Sequence, residues 1–97
     1  MRKIPFLLAF LALLGLQVQA QRQVTGTVTN VEDGSSIPGV SVLVKGTQVG
    51  TITDINGKYS IKVPLEGKIL QFSFVGMQTL EVTIGNQSVI DVQMRPT

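Results

Sequence analysis

The sequence predicts an all-β fold, a two-sheet antiparallel sandwich of seven short strands. Apolar residues recur at every second position in several stretches, as at Val40, Val42 and Val44, and this period is typical of a strand with one buried face. Glycine, proline, asparagine or aspartate stands between those stretches, as expected for turns. After residue 20 the sequence shows no amphipathic helix pattern, which favours a sandwich over a fold with helices.

The first two predicted strands are separated by a polar loop. Strand one covers about residues 23–31 and alternates Val24 and Val28 with threonines on the opposite face, a composition suited to an exposed sheet surface. Strand two covers residues 40–45 and follows Pro38, whose missing N–H costs little at the entrance to a strand. We expect Gly46 to end this strand.

Strands three and four are predicted at residues 51–53 and 58–63. Between them, Asp54-Ile55-Asn56-Gly57 has the residues that close a tight hairpin turn. In strand four, Tyr59 begins an apolar series that alternates with lysines and a serine. The charged positions fix the register of this strand, because a slip of one residue would bury them.

The last three strands are predicted at residues 68–75, 80–84 and 89–94, with glycines in the turns between them. The side chains expected to face the core are Leu70, Phe72, Phe74, Leu80, Val82, Ile84, Ile90, Val92 and Met94. Phe72 and Phe74 are two residues apart on one strand, so a core position is favoured for both over a ligand pocket.

Residues 1–20 carry the pattern of a secretory signal peptide. Arg2 and Lys3 precede an apolar stretch at residues 4–16, and Val18-Gln19-Ala20 offers the small residues of a cleavage site. Cleavage between Ala20 and Gln21 would leave a single domain at residues 21–97. The apolar stretch is shorter than the ~20 residues that span a membrane, and the absence of cysteine excludes a lipoprotein anchor. We therefore expect an exported protein.

The charge and the residue types of the mature chain exclude several function classes. Without the signal peptide, six bases and six acids are interspersed, so the clustered bases of a nucleic-acid or membrane-surface protein are missing. The sequence has no histidine and no cysteine, which rules out a Ser-His-acid triad and a cysteine nucleophile and disfavours zinc. We expect neither an enzyme nor a cofactor.

Three further features could be read as sites. Asp54-Ile55-Asn56-Gly57 is similar to the start of a calcium loop but lacks the remaining ligands, and a turn is favoured. The glycines at residues 46–50 are followed by no helix, so they indicate turning rather than phosphate binding. Lys45 and Asp91 are the strand-borne pair that could form an intramolecular crosslink, although both are predicted to face outward.

Short motifs spread over residues 24–94 carry a family resemblance. They are Gly26-Thr27-Val28-Thr29, Pro38-Gly39-Val40-Ser41-Val42, Val44-Lys45-Gly46-Thr47, Gly50-Thr51, Thr53-Asp54, Asn56-Gly57-Lys58-Tyr59 and Phe72-Ser73-Phe74-Val75-Gly76. Their order resembles the carboxypeptidase-regulatory-like domain, and more narrowly the version at the N-terminus of SusC/RagA-type TonB-dependent outer-membrane receptors. The motif positions singled out as structural are Pro38, Gly39, Lys45, Gly46, Thr47, Gly50, Asp54, Asn56, Gly57, Tyr59, Phe72 and Gly76.

The resemblance implies a transthyretin-like (prealbumin-like) Greek-key sandwich in the periplasm, attached to an importer of glycans or peptides. In such receptors a TonB box, a plug and a barrel follow the domain. The implied partners are therefore the plug and barrel, the TonB machinery or a SusD-like lipoprotein. Met77 stands where the family commonly has an aromatic residue, and a methionine can fill that pocket. Because the sequence stops at Thr97, we expect a fragment of a receptor.

A second function class is a free-standing secreted sandwich that binds carbohydrate or protein. Carbohydrate sites in sandwiches usually expose aromatic residues, whereas this sequence has no Trp, one Tyr and four Phe, which favours the accessory domain. A stop codon directly after Thr97 would favour the free-standing module. In either class we expect binding at a sheet edge or at the loops around Gly34, Gly46 and Gly57.

Overall fold

The computed structural model describes residues 21–97, so the predicted signal peptide at residues 1–20 lies outside the described residues. All seven predicted strands are present. Their bounds are β1 Arg22–Asn30, β2 Ser41–Val44, β3 Gly50–Ile52, β4 Lys58–Val63, β5 Ile69–Ser73, β6 Leu80–Thr83 and β7 Val92–Met94. The described part of the chain contains no helix, and hence none that is long and apolar enough to cross a membrane. The all-β prediction is confirmed.

The strands form two sheets, one of three strands in the order β4-β1-β7 and one of four in the order β3-β2-β5-β6. Every pair is antiparallel except β1 with β7, which is parallel. The sandwich is therefore not antiparallel throughout. A hairpin fixes the next strand as antiparallel, but β7 follows β6 of the other sheet. A connection that crosses between sheets allows either direction.

The predicted hairpin of β3 and β4 is wrong. β3 pairs with β2, whereas β4 pairs with β1 in the other sheet. The turn at residues 54–57 is therefore a corner at which the chain passes from one sheet to the other. Aspartate, asparagine and glycine favour a sharp reversal of the chain, but they do not specify whether the two flanking strands pair.

The core lies between the two sheets. Its buried side chains are Val24, Val28, Ile37, Val40, Val42, Val44, Tyr59, Ile61, Val63, Leu70, Phe72, Ile84, Ile90, Val92 and Met94, with Met77, Leu80 and Val82 packed against them in part. The rings of Tyr59 and Phe72 meet edge to face across the sheets with centroids 5.5 Å apart, a favourable geometry. The predicted core faces are confirmed with one exception. Phe74 is 38% exposed, because β5 ends at Ser73 and the chain turns away there.

The parallel ladder between β1 and β7 is interrupted before β7 begins. The Ile90 N–H donates to Thr25 O at 2.8 Å, and a regular ladder would next join the Thr27 N–H to Ile90 O. Instead, the Thr27 N–H donates to the Asp91 carboxylate at 2.9 Å, and Ile90 O accepts the Tyr59 hydroxyl at 2.6 Å. The strand predicted from residue 89 is therefore regular only within β7.

Candidate functional site

Several motif residues meet at one end of the sandwich, in what we call the motif corner: Pro38, Gly39, Thr53, Asp54 and Gly57. The Pro38-Gly39 pair forms a turn in which Gly39 has a φ of +81°, as a type II turn requires at its third residue. The two ends of this turn are joined through the Thr53 hydroxyl, which accepts the Val40 N–H at 2.9 Å and donates to Ile37 O at 2.8 Å. Thr53 is 5% exposed, so these bonds are shielded from water.

The Asp54 carboxylate is committed to the backbone of its own turn. One carboxylate oxygen of Asp54 accepts the N–H groups of Asn56 at 2.9 Å and Lys58 at 3.0 Å, which is an Asx turn. The Gly57 N–H donates to Asp54 O at 2.9 Å. Asp54 therefore acts as a turn residue here, and residues 21–97 hold no group of three or more acidic side chains that could bind a metal ion.

Gly57 is required at the corner for two reasons. Its φ is +75°, and a Cβ atom at this position would lie 2.7 Å from Val28 O, a contact that a side chain cannot make without moving the backbone of β1. The Gly57 carbonyl in turn accepts the Val28 N–H at 2.8 Å. The corner thus rests directly on β1, and a larger residue would push the start of β4 away from β1 and from the loop at residues 36–37.

Gly26 and Tyr59 form a second close contact, at the interruption of the β1–β7 ladder. A Cβ atom at Gly26 would lie 1.8 Å from Ile90 O and 2.9 Å from the Tyr59 ring. Glycine inside a strand often marks a close approach of another chain segment, so Gly26 is the sequence signal of this contact. Burial, and to a lesser extent the nearby Asp91 carboxylate, raises the pKa of Tyr59 to about 12.

Of the motif residues at 45–50, those at 45–49 lie in the loop between β2 and β3, and Gly50 begins β3. The Thr47 hydroxyl donates to Val44 O at 2.8 Å and accepts the Val49 N–H at 3.0 Å, so its polar atoms are used to close the loop. Gly46 has a φ of +83°, a backbone conformation that glycine adopts without cost. The glycines therefore serve to turn the chain, as the sequence predicts.

The structure does not bring together Lys45 and Asp91, the pair considered for a crosslink. Lys45 follows β2 in the four-stranded sheet, and its ammonium group lies 2.8 Å from the Glu81 carboxylate. Asp91 precedes β7 in the three-stranded sheet and accepts the Thr27 N–H. Lys45 and Asp91 thus have different partners, which disfavours a crosslink between them, and the ion pair of Lys45 is a surface contact with both side chains about half exposed.

The loop between β1 and β2, which contains Gly34, is organised by Asp33. Hydrogen bonds from the Ser35 N–H at 3.0 Å and the Ser35 hydroxyl at 2.7 Å reach the same carboxylate oxygen. They hold the pKa of the Asp33 carboxyl below its usual value. This acid, like Asp54, is committed to a turn.

The exposed apolar side chains offer a more informative surface. Ile52, Ile55, Leu65, Phe74, Val75 and Val89 are the large ones exposed within residues 21–97. A groove of about 500 Å³ is lined by Gly39, Ser41, Ser73, Phe74 and Val75, and we call it the exit groove. Ile52 lies beside it, because Ser41 is paired with Ile52 on one side and with Ser73 on the other. The groove adjoins the motif corner through Gly39.

The sequence does not predict this groove, because the alternation of Leu70, Phe72 and Phe74 places Phe74 in the core. The available signal was the Val75-Gly76 pair: the Met77 N–H donates to Phe74 O at 3.1 Å, and Gly76 has a φ of +79°. These features make residues 74–77 a type II turn, which leaves Val75 91% exposed at its tip.

Comparison with known proteins identifies the family. The model of the CarboxypepD_reg-like domain matches residues 24–97. The chain belongs to this family. It is 47% identical over 90 residues to TonB-dependent receptor P3 of Formosa agariphila, and 32% identical over 74 residues to TonB-dependent receptor SusC of Bacteroides thetaiotaomicron. The matched parts cover 92% and 76% of this chain but 9% and 7% of the two receptors, so the chain spans less than a tenth of their length.

Two solved structures share the sandwich fold. They are interface mutants of a type II cohesin–X-dockerin complex from Acetivibrio cellulolyticus, with TM-scores of 0.60 and 0.57 and sequence identities of 20% and 19%. The matches cover 76% and 73% of this chain and 57% and 51% of the matched chains. At this identity the likeness shows the fold alone, and it agrees with the two-sheet arrangement described above.

Proposed function

We propose that the chain is the non-enzymatic, N-terminal accessory domain of a SusC-like TonB-dependent receptor that imports glycans or peptides. The observation that carries this proposal is the match to TonB-dependent receptors over most of the chain but less than a tenth of each receptor. In the full receptor, the parts that carry out transport would follow this domain. In this proposal, residues 1–20 are a signal peptide cleaved between Ala20 and Gln21, and the domain faces the periplasm at the outer membrane.

The contacts of the polar side chains support an accessory role rather than catalysis. Thr53, Asp54 and Thr47 each bind turn backbone, and Tyr59 is tied to Ile90 O. Among residues 21–97, no buried polar side-chain atom lacks a hydrogen-bond partner. These residues build and brace the sandwich, and none of them presents a free nucleophile or base in a cleft.

The surface supports a role in protein contacts. The exit groove and its neighbour Ile52 expose apolar side chains together at one end of the four-stranded sheet, and grouped apolar exposure of this kind is typical of contact surfaces. The partners that fit the proposal are the plug and barrel of the same receptor. In the assembled receptor, the domain would also be placed to contact the TonB machinery or a SusD-like lipoprotein.

Deletion of the domain within the full receptor tests the proposal. Residues 21–97 would be replaced by a glycine-serine linker of equal length, with the signal peptide retained. The amount of receptor in the outer membrane and growth on a panel of glycans and peptides would then be measured. We expect the receptor to reach the outer membrane and uptake to fall. Unchanged uptake at an equal amount of receptor would contradict an accessory role in import.

A further inference from the structure

The last described residues pair with the turn that ends β5. The Gln78 N–H donates to Arg95 O at 2.8 Å, and the Thr97 N–H donates to Gly76 O at 3.0 Å. Between these two bonds, Met77 and Pro96 form an antiparallel bridge. The chain after β7 therefore leaves the three-stranded sheet and runs along the connection between β5 and β6, so that Thr97 lies beside Gly76.

The direction of this pairing leads to the exit groove. In an antiparallel pair the partner number falls by one as the chain advances by one. After Met77 with Pro96 and Gly76 with Thr97, this direction brings the next residue to Val75, where the turn at residues 74–77 ends the regular pairing. Val75 is 91% exposed and Phe74 is 38% exposed, and both line the groove.

The other exposed apolar side chains lie elsewhere. Ile55 is in the turn between β3 and β4, Leu65 lies between β4 and β5, and Val89 lies between β6 and β7. Each stands in a separate connection, whereas Phe74 and Val75 are adjacent and share a groove. The groove is thus the apolar surface that a segment continuing from Thr97 meets first.

We propose that the polypeptide following Thr97 in the longer receptor passes Gly76 to the turn at residues 74–77 and places an apolar side chain against Phe74 and Val75 in the exit groove. This inference rests on the proposed function, which supplies the following segment. The domain would then hold the beginning of its own downstream segment by backbone pairing and one apolar contact. Docking of an extended segment on exposed backbone is an established mode of recognition.

Cysteine crosslinking in the full-length receptor tests the inference. The described domain and its signal peptide contain no cysteine, and any cysteine elsewhere in the receptor would be replaced by serine. Val75→Cys would be combined, one at a time, with a cysteine at each of the first four positions after Thr97. A disulfide forms where the two Cα atoms lie about 4.4–6.8 Å apart, so the four positions show which residue of the segment lies against Val75.

The matched control is Ile55→Cys, which replaces a similar side chain that is 82% exposed in another turn. After mild oxidation, linked peptides would be quantified by mass spectrometry. We expect at least about tenfold more linked peptide with Val75→Cys than with Ile55→Cys, because docking raises the effective concentration of the two thiols. Equal yields would overturn the inference. A link between two receptor copies would also overturn it, since the groove would then receive a second molecule.

Hydrogen exchange gives an independent readout without substitutions. Domains ending at Thr97 and at fifteen residues beyond it in the receptor would be compared. Slower exchange of the amides at residues 74–76 in the longer chain is expected, and equal exchange would overturn the inference. A stop codon directly after Thr97 would contradict both the proposed function and the docking. A receptor that continues after Thr97 but shows neither the crosslink nor slower exchange at residues 74–76 would contradict the docking alone.

Discussion

The hydroxyl of Thr53 is predicted to contribute more to stability than its methyl group. Thr53→Val keeps the shape of the side chain but removes both hydrogen bonds that join the ends of the Pro38-Gly39 turn. The Val40 N–H and Ile37 O lie in a buried region, and each buried group left without a partner costs about 1–3 kcal/mol. The substitution should lower the free energy of unfolding by about 1–5 kcal/mol, with a central value of about 3 kcal/mol, after about 0.8 kcal/mol is regained from the added methyl group.

The matched control is Thr53→Ser, which keeps the hydroxyl and loses one methyl group. Its cost should be about 1 kcal/mol. For a domain of this size, 1 kcal/mol corresponds to a fall in melting temperature of roughly 4–8 °C, so the two variants should differ clearly. Urea unfolding of residues 21–97, followed by circular dichroism, measures both. A valine variant as stable as the serine variant, with an unchanged dependence on urea, would refute the bridging role of the hydroxyl.

Three further predictions concern the ladder interruption and the surface. Gly26→Ala should destabilise the domain by about 3 kcal/mol or more, because its Cβ would overlap Ile90 O; urea unfolding measures this. The single tyrosine, Tyr59, should titrate near pH 12 in the folded protein and near pH 10 in urea when followed by ultraviolet absorbance. Lys45→Ala should change stability by less than about 1 kcal/mol, since its ion pair with Glu81 is largely exposed.

Each of the three predictions has a result that would contradict it. Gly34→Ala is a control that strains the backbone, since Gly34 has a φ of +73°, but leaves no atom within 4 Å of the added Cβ; it should cost less than Gly26→Ala, and the reverse order would contradict the close contact. For Tyr59, the folded pKa exceeds the unfolded value. Its stabilisation is therefore complete below pH 10 and is lost as the pH rises through about 12. Tyr59→Phe should lack this loss, and an equal loss in both proteins would contradict the assignment. A large effect of Lys45→Ala would show that the ion pair is more than a surface contact.

Side-chain alternation predicted the strands and their buried faces, because a strand with one buried face needs an apolar residue at every second position. The series at Tyr59, Ile61 and Val63 is buried as expected, and β4 has the predicted bounds. Alternation assigns faces but not partners. It therefore could not predict the parallel pairing of β1 with β7.

The corner and the groove were harder to predict for a related reason. Asp54 and Gly57 determine how sharply the chain turns, while the choice between a hairpin and a corner depends on contacts distant in sequence, such as that between Gly57 and Val28 O. Phe74 fits the alternation of β5, yet the turn at Gly76 removes it from the sheet. The residues that line the groove come from two segments distant in sequence, 39–41 and 73–75, so the sequence pattern alone does not reveal them.

The central claim is that this domain forms the N-terminal part of a TonB-dependent receptor, and reading the coding sequence beyond Thr97 tests it most directly. The account predicts an open reading frame that continues into the plug and barrel of a receptor roughly tenfold longer than this chain, as the 9% coverage of its relative indicates. A stop codon directly after Thr97 would contradict the claim and would favour a free-standing secreted sandwich.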